Sequence, residues 1–209
     1  MKKIDKGVEP QEWEEHRNTP GAIYQSISPL REALLREQGY TCAYCMRRIP
    51  CKDANSNEDI RIDHIKCREK YPDLQLDYKN MVICCPGAIN NDFHCDKKKG
   101  ASDISFTPFD SFFIDTLSYL SGSGQIKSTN PSWDKELNNV LNLNNSLLKQ
   151  NRKQTLEGII VSLGKREEDW RKRNIEELLG KWKEKNKNGQ FEPYCGIIVW
   201  FLGKKRKRR

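Results

Sequence analysis

The chain has 209 residues, of which 36% are hydrophobic and 32% charged, and its formal net charge is +8. That length supports one ordinary hydrophobic core without disulfides, and the longest apolar stretch, CGIIVWFLG near the C-terminus, is too short to span a bilayer. The terminal KKRKRR carries six positive charges, and subtracting them from +8 leaves +2, so the basic balance that points to nucleic acid rests mainly on a tail.

The opening MKKIDKGVEPQEWEEHRN lacks the apolar run of a secretory signal, so the expected compartment is the cytoplasm. Thiols stay reduced there, and clustered cysteines serve as metal ligands or catalytic groups rather than disulfides. Residues 1–39 read as a helical segment. QEWEEHRN is short and charged, and SPLREALLREQG offers Ser28 as N-cap, Pro29 at the first helical position and Gly39 as terminator. Leu30, Ala33, Leu34 and Leu35 form its apolar stripe. His16, among charges in WEEHR, is an ordinary surface histidine.

Over residues 40–104 the pattern changes to short apolar runs, IRIDHI and NMVICC, between polar loops, which predicts short strands followed by a helical turn at CDKKKGAS. Within 105–130, FFIDTLSYL and QIKST flank SGSG and predict a hairpin. Residues 131–203 are helical again: Leu156, Ile159, Ile160 and Leu163 share a face, as do Ile175, Leu178, Leu179 and Trp182. Trp133, Trp170, Trp182 and Trp200 are expected as core or interface anchors. Residues 204–209 form the basic tail. The expected class is α+β, with a small cysteine-bearing module between two helical regions.

Most of the eight cysteines fall inside that module. Cys42 and Cys45 make a CxxC knuckle, and a closed tetrahedral zinc site needs a second pair, drawn from Cys84 or Cys85 together with Cys95. Adjacent residues on a strand point to opposite faces, so only one of Cys84 and Cys85 can ligate. Cys51, Cys67 and Cys195 are left to packing. A thioredoxin-like role for the knuckle lacks the surrounding βαβ pattern.

Between the halves of that zinc site lies IRIDHIKCREKYPDLQLDYKNMVICC, with the residue types that one-metal phosphodiester hydrolysis requires. Asp63 is a hard oxygen ligand for magnesium or manganese, and Asp96 is the second. His64 is placed to take a proton from water as a neutral imidazole, and Asn80 to hold its far ring nitrogen. Asp92 and His94 are alternatives to Asp96. Lys97, Lys98 and Lys99 add positive charge for a phosphate backbone, with Lys99 expected to make the direct contact.

CAYC, IDHI, KNMVICC and HCDKKKG together resemble the HNH endonucleases that carry zinc-ribbon cysteines, whose pattern is CxxC, DH, N and CxxCNxxKG. The resemblance implies a ββα-metal fold with Asp63 and His64 on the first strand, Asn80 before the second and Asp96 on the helix. It also picks Cys85 as the third zinc ligand, beside Cys42, Cys45 and Cys95. Two departures stand out: CCPGAINNDFHC is longer than the family's spacing, and Asp96 replaces an Asn or His. In the flanks, EPQEWEEHRNTPGAIY, SPLREALLREQGYTCAYC and the LNLN run from 141 are similar to the HNH subunit of Septu anti-phage systems, a group also found beside retrons. This implies a nuclease effector, with DNA the favoured substrate over RNA, and an ATPase partner of ABC or SMC type. The competing readings are a zinc-stapled nucleic-acid-binding module without chemistry and an assembly adaptor.

Overall fold

A computed structural model of the chain describes residues 1–49, 60–89, 91–164 and 175–206; Cys51, Trp170 and residues 207–209 of the tail lie outside the described residues. Helix α1 (Gln11–Arg17) follows Pro10, with Glu12 and Glu14 in its first turn where the helix dipole favours anions. Its one buried residue, Trp13, donates Nε1–H to the Leu76 carbonyl at 3.2 Å. Helix α2 (Ser28–Glu37) buries the expected stripe of Leu30, Ala33, Leu34 and Leu35. Its start differs by one position: Ile27 occupies the N-cap without a side-chain bond, and Ser28 is already helical. Gly39 follows the helix at φ +55°, where a Cβ would stand 2.4 Å from the Phe191 ring, so both conformation and space require glycine.

Strands β1 (Arg61–His64) and β2 (Met81–Cys84) pair antiparallel, with Arg61 opposite Cys84 and His64 opposite Met81. All four residues of β2 are buried, and α2 lies against them. Gln38, just past α2, does the work of a third strand. Its amide accepts from Ile83 N–H at 2.8 Å and donates to the carbonyls of Ile83 and Thr41 at 2.8 and 2.9 Å. The stretch between Cys85 and Cys95, long for the resembled family, folds as a small hairpin of β3 (Ala88–Ile89) and β4 (Asp92–Phe93). The hairpin returns the chain to its starting point, with His94 N–H bonded to the Gly87 carbonyl at 2.8 Å, and delivers Cys95 to the start of α3 (Cys95–Lys99).

Part of the hairpin expected within residues 105–130 is helical. Asp110 caps α4 (Ser111–Asp115) by accepting from Phe112 N–H, so FFID coils before the chain extends into β5 (Leu117–Leu120) and its antiparallel partner β6 (Gln125–Ser128). Helix α5 (Pro131–Lys135), capped by Asn130, widens into a π turn over Glu136–Val140. Helices α6 (Ser146–Leu163), α7 (Ile175–Lys183) and α8 (Cys195–Arg206) follow among the described residues, α7 packing on α8 and α6 on both α8 and β6. Among the described residues no helix is long and apolar enough to cross a membrane.

One hydrophobic cluster runs from Leu30 and Leu34 through Met81 and Cys95 to Ile197 and Leu202. The LNLN run fastens the two halves together. The Leu141 carbonyl accepts from Cys95 N–H at 2.8 Å, Asn142 donates to Asp92 and to the Phe93 carbonyl, and Asn144 brackets both backbone groups of Ile126. Buried Arg152 on α6 donates to the carbonyls of Gly124 and Leu143, both at 2.6 Å, and to the Asn144 side chain. Arg152→Met keeps most of the aliphatic stem but orphans these acceptors, so urea denaturation should show a loss of about 3 kcal/mol or more; an unchanged midpoint would mean that water satisfies them.

Candidate metal centre and catalytic cleft

Four sulfurs converge from three segments of the chain. Cys42 and Cys45 sit in a tight turn closed by Cys42 N–H to the Arg47 carbonyl and Met46 N–H to the Cys42 carbonyl, with Ala43 N–H anchored on Ile83 of β2. Tyr40 and Met46 adopt positive φ on either side of the turn. Cys85 follows β2 directly, and Cys95 opens α3. The ligand atoms of Cys42, Cys45, Cys85 and Cys95 all lie within 4.8 Å of one another, with Cys42–Cys95 at 3.8 Å and Cys45–Cys85 at 3.7 Å. Sulfurs around one zinc, each at about 2.3 Å, stand about 3.8 Å apart at the corners of a tetrahedron. The donor set therefore fits a metal ion such as zinc. Burial pushes the Cys42 thiol up, but hydrogen bonds from its thiol neighbours outweigh burial and hold it well below the usual range. Cys84 is buried as well, but burial raises its thiol, and it is not among the four converging ligands.

His94 belongs to this cluster and not to the cleft. It is fully buried, its Nδ1 lies 3.1 Å from the Cys95 sulfur, and its Nε2 has no partner among the described residues. Asp92 is exposed and bonded to Asn142. Neither stands in for Asp96.

Asp63, His64 and Asp96 line one open cleft of about 240 Å³ together with Arg61, Cys67 and Arg68. The strand end turns His64 so that Nε2 meets the Gln75 carbonyl at 2.9 Å. A carbonyl only accepts, so Nε2 carries the proton and Nδ1 keeps a lone pair. Burial, with Arg68 and Lys99 nearby, lowers the imidazole to about 4 against the opposing Gln75 carbonyl. The ring also packs edge-on against Tyr24 at 4.6 Å. Asp63 accepts from the Tyr44 hydroxyl at 2.5 Å and pairs with the Lys99 ammonium at 2.9 Å. Burial raises this carboxyl to about 7 against the opposing pull of Lys99, while the Tyr44 and Lys99 donors favour its ionised form. Asp96 accepts from Arg61 Nε.

Two expected roles are corrected. Asn80 does not hold the His64 ring; its side chain accepts from Lys66 N–H at 2.8 Å and donates to the carbonyls of Lys66 and Leu74. It thereby braces the loop that carries Gln75, and reaches His64 only through that loop. Lys99 does not face a phosphate: it is 1% exposed, and it bonds Asp63 and the His64 carbonyl. Lys97 and Lys98 are exposed. Tyr44, Gln75 and Arg61 went unrecognised in the sequence, although Tyr44 stands inside the CxxC itself.

No protein-family model matches the chain, and no curated protein does. Two measurements check the geometry. Cys85→Ser should lower the zinc that co-purifies with the protein while Cys84→Ser leaves it intact, and equal loss in both would reject the assigned ligand set. His64 should titrate near pH 4 by NMR. Its folded value lies below the ordinary 6.5, so the unfolded chain binds more protons between those limits; the stability His64 contributes is complete above pH 6.5 and is lost as pH falls toward 4. A measured value near 6.5 would contradict the buried neutral ring.

Proposed function

We propose that the protein is a metal-dependent endonuclease of HNH type that hydrolyses phosphodiester bonds, with zinc held by Cys42, Cys45, Cys85 and Cys95 as a structural staple. The observation that carries this reading is the state of His64. A neutral imidazole whose Nε2–H is committed to a backbone carbonyl keeps a lone pair on Nδ1, and the residue lines a cleft shared with two carboxylates. That is the arrangement a general base needs. Support also comes from the succession of a paired β1 and β2 followed by α3, which carries Asp63, His64 and Asp96 on the elements that the sequence resemblance implies.

His64 takes the proton of a water whose oxygen forms the new bond to phosphorus as the bond to the leaving oxygen breaks. A carboxylate has about four lone-pair sites, so Asp63 keeps acceptor capacity beyond its bonds to Tyr44 and Lys99, as does Asp96 beyond Arg61. These oxygens suit magnesium or manganese, which when bound would lower the cost of charge developing on the phosphate. Asn80 is a positioning residue, keeping the Gln75 carbonyl on the ring. Lys97 and Lys98 supply positive charge on the exposed side of α3. The flank resemblance supports an anti-phage setting with an ABC- or SMC-type ATPase partner.

The binding-module reading has one observation in its favour: the buried Lys99–Asp63–Tyr44 network would hold this region together with no chemistry at all. Plasmid DNA and total cellular RNA incubated with wild type and His64→Ala, with and without Mg²⁺ or Mn²⁺, separate the two. Cleavage should require the cation and fall by at least about a hundredfold in His64→Ala, with zinc content unchanged. Zinc bound by both proteins and no cleavage by either, with the ATPase neighbour added, would transfer the assignment to a binding module.

A further inference from the structure

Both cleft carboxylates are paired with cations of the protein itself, and the two pairs differ in kind. The Lys99–Asp63 pair is sealed, its side chains 0% and 4% exposed. The Arg61–Asp96 pair lines the open cleft, with the Arg61 side chain 45% exposed. Arg61 opens β1, and pairing opposite Cys84 fixes its backbone. It reaches Asp96 through Nε, and its Nη1 and Nη2 make no hydrogen bond to a described residue.

A guanidinium on Asp96 and a divalent cation on the same carboxylate repel each other, more strongly in a partly buried cleft than in water. A phosphodiester removes the conflict, because the guanidinium fork matches two phosphate oxygens as well as it matches a carboxylate. A second arginine lines the same cleft: the Arg68 guanidinium lies 4.6 Å over the Tyr24 ring, which itself packs on His64. Arg61 and Arg68 thus present two phosphate-binding groups where the expected Lys99 presents none.

We propose that Arg61 holds Asp96 in the free protein and passes to the phosphodiester of incoming nucleic acid, so that substrate and cation bind cooperatively. This rests on the nuclease reading. Coupling of this kind is reciprocal: whatever factor nucleic acid adds to cation affinity, the cation adds to nucleic-acid affinity.

The test measures Mn²⁺ binding by electron paramagnetic resonance of the free ion. It uses zinc-loaded full-length protein carrying His64→Ala, so that nothing is cut. Asp96→Ala in the same background should lose the site and controls for manganese at the cysteines. A short DNA oligonucleotide should tighten Mn²⁺ binding roughly fivefold, an RNA oligonucleotide serves as the second arm, and the arm that responds names the substrate. Adding Arg61→Ala should tighten Mn²⁺ binding by a similar factor without any oligonucleotide and abolish the response to it. Arg61→Lys, which keeps the charge, should retain part of the competition. The proposal is overturned if Arg61→Ala leaves the affinity for Mn²⁺ unchanged, or if the oligonucleotide response survives it. It is equally overturned if no Mn²⁺ binds at Asp96 in any variant; wild-type cleavage would then show that the nuclease reading stands without it, and no cleavage would remove both.

Discussion

Two strands of four residues and a five-residue helix cannot bury enough apolar surface to hold themselves in place, and the convergence of four cysteine sulfurs is the constraint that makes the module possible. A metal ion bound there would add folding free energy on the order of 10 kcal/mol, more than the packing of so small a unit supplies. The sulfurs fix three things together: the turn at residues 42–45, the exit of β2 and the first turn of α3. With the exit of β2 and the start of α3 held, Asp63 on β1 and Asp96 on α3 face one cleft. Cys95 and Asp96 are neighbours at the start of α3, the first in the sulfur cluster and the second on the cleft. The staple therefore shapes the site without taking part in it.

Charge inside the module is arranged so that each buried ion has a named counterpart. Lys99 would be expensive to bury alone, and it is tolerated because Asp63 and a backbone carbonyl take two of its three protons. Tyr44 closes the other side of Asp63. Because Tyr44 lies between Cys42 and Cys45, the metal turn and the carboxylate are mechanically one piece. The histidine is treated differently: burial favours its neutral form, and one ring nitrogen is tied to the Gln75 carbonyl.

The cysteine framework was legible because ligand spacing and strand alternation are local rules. They reduced the choice to Cys84 or Cys85, and the HNH-like motif picked the one that converges. Asp63, His64 and Asp96 were legible as residue types in order along the chain. The bonds of Asn80 were not, because its partners are backbone groups of Lys66 and Leu74, and backbone atoms leave no mark in a sequence. Gln75 escaped notice for the same reason. Lys99 was misread as a direct phosphate contact. Yet on a helix it falls four positions after Cys95 and three after Asp96, both buried, whereas Lys97 and Lys98 fall on the opposite face. FFID was read as strand on β propensity, which an aspartate cap overrode.

Gln38 has a further effect on how the molecule meets other chains. A two-stranded sheet normally leaves a row of backbone donors and acceptors open to any extended peptide, and such edges seed aggregation. Here the outer edge of β2 is occupied. Ile83 gives both its backbone groups to the Gln38 amide, with Ala43 sharing the carbonyl, and Lys6 covers the carbonyl of Met81. A side chain has no next residue with which to continue the ladder, so the sheet stops growing at this edge and offers no template for strand addition there.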